Sequence, residues 1–493
     1  MSSQPAPASL PGLQFNNSFT QLPAPFFRRV APQGLKEPVL VSFNQPLADQ
    51  LGLSFDSAED QALFLQAMSG NATLPGSDPV AMKYTGHQFG YYNPDLGDGR
   101  GLLLGEIHDR QGKHWDLHLK GAGTTPFSRG GDGRAVLRSC IREYLCSEAM
   151  YGLGIPTTRA LCIVGSQEPV YRETVETGAT LLRVASTHIR FGHFEYFYYS
   201  RDEKNLKVLA DYLIGQQFPH WQDNPDRYQL LLEEAVRRTA RLIAHWQAVG
   251  FNHGVMNTDN MSILGETFDY GPFAFLDDFQ SGYICNHSDY QGRYAFNQQP
   301  GIGFWNCQCL AQAMLPLVGE KAALAALEQY DEHFHGHLIG LFRAKLGFEK
   351  QLEGDALLVR DLLREMERNR VDYSIFFRQL SRFRSTQEHG GVRDLFIDRS
   401  TFDGWAERYE RRLALESSEP EQRAERMNRH NPKYILRNYM AQTAIEKAQQ
   451  GDFSEVDRLL NLLQKPFDEQ PENEQYAAPP PDWGKGLEIS CSS

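Results

Sequence analysis

Cysteine is scarce in this chain. There are seven in 493 residues: Cys140, Cys146, Cys162, Cys285, Cys307, Cys309 and Cys491. No two are spaced CxxC, which argues against a zinc ribbon, and so few thiols do not build a disulfide scaffold. Positive charge is short as well. Lys and Arg number 49 against 62 Asp and Glu, a net charge of −13. That argues against a broad nucleic-acid or anionic-membrane surface but leaves room for a local basic pocket. No stretch approaches the ~20 apolar residues of a membrane-spanning helix. The start, Met1 to Pro11, lacks the basic and apolar blocks of a secretion signal. It also lacks the Arg-rich pattern of a mitochondrial presequence. The expectation is a cytoplasmic protein that engages neither nucleic acid nor membrane.

What is present fits a globular chain with ample core. Apolar residues are 41% and charged ones 23%, which supports a packed core rather than disorder. Residues 1–80 read as an N-terminal extension of loops with one short helix near 58–67. Residues 81–187 read as a strand-rich lobe. Runs at 102–107 and 115–120, separated by turn residues, form a β-hairpin pattern. A Gly-rich loop, 121–134, precedes a helix expected over 135–150, and strands are expected at 158–164 and 180–184. From 188 to 470 helical periodicity dominates, including an amphipathic helix over 228–249 closed by Gly250. A short strand is expected at 261–264. Residues 471–493 read as an extended tail carrying Cys491. The class is α+β: a strand-rich lobe, a larger helical lobe, and a cleft between them where ligands commonly bind.

Five features could carry chemistry. Gly97-Asp98-Gly99-Arg100-Gly101 precedes a strand. Its glycines would let backbone N–H groups approach phosphate and Arg100 would add a fork, although a tight hairpin reads the same way. Lys120 ends a strand, and Glu143 lies 23 residues on in the next helix. Such a pair fixes a phosphate-binding ammonium in kinase-like folds; its plainer reading is two surface charges. Gly130-Gly131-Asp132-Gly133-Arg134 enters that helix as an anion-binding loop, or Asp132 is simply its N-cap. Arg183 and Arg190 could clamp a terminal phosphate or form ordinary ion pairs. The strongest feature is His253-Gly254-Val255-Met256-Asn257-Thr258-Asp259-Asn260, followed by Asp269-Tyr270-Gly271. Kinase catalytic loops read His-Arg-Asp-x-x-x-x-Asn and then Asp-Phe-Gly. Asn260 and Asp269 are hard oxygen donors suited to Mg²⁺. The position of the kinase base holds Val255, which cannot accept a proton. Asp259 is the one carboxylate in the loop and takes the base role.

With these residues in place the sequence resembles the selenoprotein O family, also called the YdiU family, of protein adenylyltransferases with a kinase-like fold. The matching strings are Tyr84-Thr85-Gly86-His87-Gln88-Phe89-Gly90, Leu96 to Arg100, Leu119 to Arg129, His253 to Asn260, Asp269 to Pro272, and the tail Ser490-Cys491-Ser492-Ser493. The resemblance implies a bilobal kinase-like fold with extensions and a nucleotide bound in reversed pose. AMP would pass from ATP to Ser, Thr or Tyr hydroxyls of proteins, redox proteins among them, with Mg²⁺ or Mn²⁺ as cofactor. It implies nucleotide contacts from Gly97, Gly99, Arg100, Lys120, Asp132, Gly133, Arg183, Arg190 and Asp269. It implies metal ligation by Asn260 and Asp269, a structural ion pair from Glu143 and proton acceptance by Asp259. By the same resemblance Cys491 would form a reversible disulfide with an internal thiol, for example Cys285. Three alternatives stay open: a true kinase, UMP transfer from UTP with Mn²⁺, and a non-catalytic nucleotide-binding pseudokinase.

Overall fold

The structure is a computed structural model that describes residues 13–55 and 57–487. Cys491 and the rest of the final tail lie outside the described residues. In chain order the strands are β1 (Phe27–Arg29), β2 (Val39–Phe43), β3 (Val80–Met82), β4 (Gly86–Gln88), β5 (Tyr91–Asn93) and β6 (Gly101–His108). They continue with β7 (His114–Lys120), β8 (Ala135–Val136), β9 (Arg159–Tyr171), β10 (Val175–Ala185), β11 (Phe251–Asn252) and β12 (Ala274–Phe275). The first seven helices are α1 (Gln45–Leu51), α2 (Ala58–Met68), α3 (Leu137–Gly152), α4 (Phe191–Tyr199), α5 (Glu203–Gln217), α6 (Arg227–Val249) and α7 (Gln299–Glu328). The rest are α8 (Tyr330–Lys345), α9 (Asp355–Asn369), α10 (Tyr373–Leu380), α11 (Arg399–Leu413), α12 (Pro420–Asn428), α13 (Asn438–Gln449) and α14 (Ser454–Leu463).

Among the described residues, eight strands make one antiparallel sheet in the order β1-β3-β6-β7-β10-β9-β2, with β8 on β10. Period-two alternation divides its side chains between two cores. Leu117 and Leu119 of β7, Leu182 and Val184 of β10 and Leu161 of β9 pack with Leu47, Phe64 and Met68 of α1 and α2. Ile163 and Leu181 face the other way, onto Ile141, Tyr144 and Leu145 of α3. The polar alternates of β7, Asp116, His118 and Lys120, are buried too. A sheet covered on both faces leaves no solvent side for them, so they must find partners.

Several expectations change here. Residues 1–80 are more than a lead-in: β1 and β2 are the two edges of the sheet, and β3 begins at Val80. Ala135 and Val136 pair with Ala179 and Gly178 as β8, so α3 starts two residues later than its periodicity suggests. Residues 261–264 form no strand; Ser262 makes a single bridge to Arg190. The segment 470–485 is partly coiled into short 3-10 turns at Pro471–Ala477 and Asp482–Gly484 rather than extended. Helices α4, α5, α12 and α14 escaped the periodicity reading. The C-terminal α13 and α14 return to pack on α3, and Asp457 accepts a hydrogen bond from Ser42 of β2 at 2.7 Å. A second apolar core, built on Phe342, Leu362, Phe376, Phe377, Trp405 and Tyr409, fills the helical region from α8 to α11. The stretch 296–345 is long and apolar enough by composition to cross a membrane. In the fold Gly319, at φ +74°, breaks it, and its buried face packs in the main core.

Candidate active site

A cleft of about 580 Å³ opens between the sheet and the helical region. Seven Lys and Arg line it against four Asp, in a chain whose net charge is −13. The excess of cations is therefore local, and it suits an anionic ligand.

Five charged groups cross its floor in alternating sign. Lys120 Nζ lies 2.6 Å from Glu143 Oε2. Arg183 bonds Glu143 with Nε and reaches Asp269 Oδ1 with Nη1 at 2.7 Å. Arg190 Nη1 closes the series on Asp269 Oδ2 at 2.5 Å. The pleat explains the order. Lys120 of β7 and Arg183 of β10 point toward α3, where Glu143 waits one turn after Cys140. Burial works against ionising Glu143, but Arg183 and Lys120 outweigh it and hold its carboxyl low. Burial likewise opposes the Asp269 charge, and Arg190, Arg183 and Lys120 hold that carboxyl far below the usual range. Lys120 is pulled the other way: burial first, then Arg100 and Arg183, lower its affinity for its proton. Asp269 sits at φ +58°, a left-handed conformation its three cations fix in place. Arg190 is sandwiched between the rings of Tyr84 and Phe268, each 4.5 Å away.

The loop from His253 to Asn260 lies against this floor. His253 stacks on Trp246 of α6 and its Nε2 sits 3.0 Å from the Phe268 carbonyl, which ties the loop to the Asp269 turn. Tyr270 stands where the kinase triplet carries Phe, and its hydroxyl shares a hydrogen bond with that of Thr157. Val255 lines the cleft at the kinase base position. Asp259 is buried where Asp269 is half-buried, and its partners differ as well. Gln88 Nε2 donates to its Oδ2 at 3.1 Å, and its Oδ1 has no hydrogen-bond partner among the described residues. Burial pushes its carboxyl up to about 7. Asn260 Nδ2 donates to the Val255 carbonyl at 3.0 Å, which leaves its amide oxygen for a cation.

The Gly-rich stretches line the same cleft for a reason of packing. A Cβ on Gly97 (φ +148°) would fall 2.6 Å from the Phe127 ring, and one on Gly133 (φ +69°) 2.1 Å from the Gly123 carbonyl. These two glycines let two loops stack on each other. Asp132 is not the cap of α3, because β8 intervenes and Val136 holds the N-cap position. It accepts from the Arg134 amide at 2.9 Å and pairs with Arg172 at 2.7 Å, at the cleft's outer edge. Arg100 and Gly99 line the cleft as well.

Sequence reasoning gave no role to Gln88, Arg129, Arg134, Arg172 or Tyr84, all of which line the cleft. Nor did it see the layer beneath, where Asp98 accepts from Met82 N and His118, and His118 stacks on His188. Thr258 is held by Glu195 (2.6 Å), which also binds His87 Nδ1 at 2.6 Å, with Cys309 beside them. The His87–Glu195 separation is that of a hydrogen bond, so the pair anchors the loop. Cys285 is buried against Gly254 of the loop, whose Cβ would fall 2.5 Å from its Sγ.

A basic cleft with a carboxylate held up and another held down is the mark of an enzyme that handles phosphates. The family model described as protein adenylyltransferase SelO matches residues 9–464. A protein nucleotidyltransferase YdiU of Myxococcus xanthus is 56% identical over 488 residues, covering 99% of this chain and 100% of that one. Proteins of the same name from Aliivibrio salmonicida and Pseudomonas aeruginosa are 55% and 51% identical, covering 98% of this chain and 99% and 100% of theirs. The chain belongs to the SelO family of protein adenylyltransferases.

Proposed function

We propose that this chain transfers AMP from ATP to Ser, Thr or Tyr hydroxyls of proteins, in the cleft of a bilobal, kinase-like fold. The observation that carries the reading is the pairing of Asp259 with the five-charge floor. The floor offers Lys120, Arg183, Arg190 and Arg100 to a polyphosphate, and the loop beside it offers a buried carboxylate with one free oxygen and a proton affinity near neutrality. The acceptor oxygen attacks the α-phosphorus while Asp259 Oδ1 takes its proton. The bond from the α-phosphorus to the β-phosphate oxygen breaks, and pyrophosphate leaves with the electron pair. Its charge develops where the arginines stand.

A divalent cation fits the residues present. Asn260 and Asp269 face one cleft, and a carboxylate bound by two arginines keeps further lone pairs. When bound, Mg²⁺ or Mn²⁺ neutralises phosphate charge. Val255 and Asp259 together disfavour γ-phosphoryl transfer from the usual kinase position. The proton affinity and free oxygen of Asp259 disfavour a non-catalytic scaffold, which has no use for either.

The test is a pair of incubations with Mg²⁺, one with ATP labelled at the α-phosphate and one at the γ-phosphate, read on a denaturing gel. Protein labelled from the α-phosphate alone is expected. Label from the γ-phosphate alone makes the chain a kinase, and label from neither, with nucleotide still bound, makes it a scaffold. Repeating the α-label experiment with UTP and Mn²⁺ ranks the two nucleotides.

A further inference from the structure

One turn beside the cleft is poorly chosen for folding alone. In the β4–β5 hairpin Gln88 pairs with Tyr91, so the turn is the dipeptide Phe89-Gly90. Both residues have positive φ, +51° and +87°. This is the geometry in which hairpins favour Asn, Asp or Gly at the first place, because a bulky side chain is strained there. Phe89 is held in it by its own amide, which donates to Tyr294 Oη at 2.9 Å and to Asn257 Oδ1 at 3.3 Å. Those two groups are themselves bonded at 2.7 Å, so the catalytic loop fixes the turn.

The ring gains little burial in return. Phe89 is 39% exposed, leaning on Tyr294 at 5.1 Å, and Tyr91 is 80% exposed. The segment from 284 to 294 meets the turn through Tyr294 and Arg293, whose guanidinium lies 3.3 Å from where a Gly90 Cβ would be. Gln88, one residue before Phe89, lines the cleft and donates to Asp259. The turn is thus a rim of the cleft, and at ~3.3 Å per extended residue Phe89 lies within about three residues of the acceptor hydroxyl. Strain maintained at a functional edge points to use rather than to folding.

We propose that Phe89, at this rim, forms the acceptor subsite. It receives a large apolar side chain one to three residues from the modified hydroxyl, on an extended segment of the protein substrate. The proposal rests on the adenylyl-transfer reading of this cleft, in which the acceptor hydroxyl lies beside Asp259. The occupant is an extended segment because Phe89 follows directly on Gln88, which lines the cleft, and because the family's acceptors are proteins.

The experiment uses the full chain, Mg²⁺ and α-labelled ATP with synthetic eleven-residue peptides. Each has a central Ser, Thr or Tyr in a Gly background, with Phe or Leu placed at one flanking position at a time. Wild type is expected to label peptides with an apolar residue at one or two fixed positions about tenfold better than the Gly peptide. Phe89→Asn keeps the turn, since Asn suits it. It should lose that preference, read as the ratio of labelling of the apolar peptides to the Gly peptide, while the KM for ATP stays as in wild type. Peptides labelled without positional preference, or a preference that survives in Phe89→Asn, overturn the acceptor subsite alone. No label on any peptide or on the chain itself overturns it together with the adenylyl-transfer reading. If Phe89→Asn changes the sedimentation of the enzyme by itself, the rim is a contact between copies and the proposal falls.

Discussion

The two corners of the cleft hold one aspartate each, ten residues apart in sequence, and treat them in opposite ways. At one corner Asp269 is wedged among Arg183, Arg190 and Lys120 and stays ionised against its burial. At the other, Asp259 faces one amide donor, keeps an empty oxygen, and holds its proton until about pH 7. Desolvation opposes the charge of both, although Asp269 is the more exposed, and the neighbours decide the sign. A site of the proposed kind, which binds anionic phosphate and accepts a proton, needs one carboxylate of each kind.

Removing the charge at the crowded corner should have the largest effect. Asp269→Ala leaves the buried guanidinium of Arg190 without its carboxylate, while Arg183 keeps Glu143, and is expected to cost about 3–5 kcal/mol of stability. It should lower transfer by about 10²–10³-fold, read by thermal unfolding and α-label incorporation. Asp259→Asn should lower transfer by about 10²–10⁴-fold while nucleotide binding, measured by calorimetry, is kept. Its effect on stability runs the other way. The folded chain binds the Asp259 proton up to about pH 7, whereas an ordinary Asp releases it near 3.8. Stability from this group is therefore full below 3.8 and falls as pH rises toward 7. The advantage of Asp259→Asn over wild type should grow by about 1.4 kcal/mol per pH unit between pH 5 and 7, and a flat difference would refute the raised proton affinity. Glu143→Gln unties Lys120 from Arg183 and should weaken ATP binding by about tenfold with the pH profile unmoved. The mildest change is Gln88→Leu. Losing that donor should shift the acid limb of the pH–rate profile upward by about half a unit, leaving KM for ATP alone.

The same contrast marks what could be read from the sequence. The string His253 to Asn260 and the Asp269-Tyr270-Gly271 triplet are local, so both could be read as letters, and both contribute residues to the cleft. Lys120 and Glu143 also follow from local order, a strand end and the next helix. Gln88 sits in one of the strings that carry the resemblance, but its role could not be found this way, because it reaches Asp259 across 171 residues. The alternation Trp115-Asp116-Leu117-His118-Leu119-Lys120 announced a strand. It could not say that its polar face would be roofed by α3 and become the cleft floor. The edges β1 and β2 are three and five residues long and acquire strand geometry only from the partners they meet. Asp132 was read as a possible cap because β8, two residues long, is invisible before its partner on β10 is known.

The hydrogen bond from Ser42 to Asp457 joins residues 415 positions apart. Gln464 adds bonds to Asn44 and Glu148, and α14 packs against α3. The helix that carries Glu143 is thus backed by a helix that begins at Ser454, far along the chain. A nascent chain can pair β6 with β7 early, but α3 lacks this backing until residues beyond 454 have emerged. The charged floor therefore gains its support only after every residue that lines the cleft has been made.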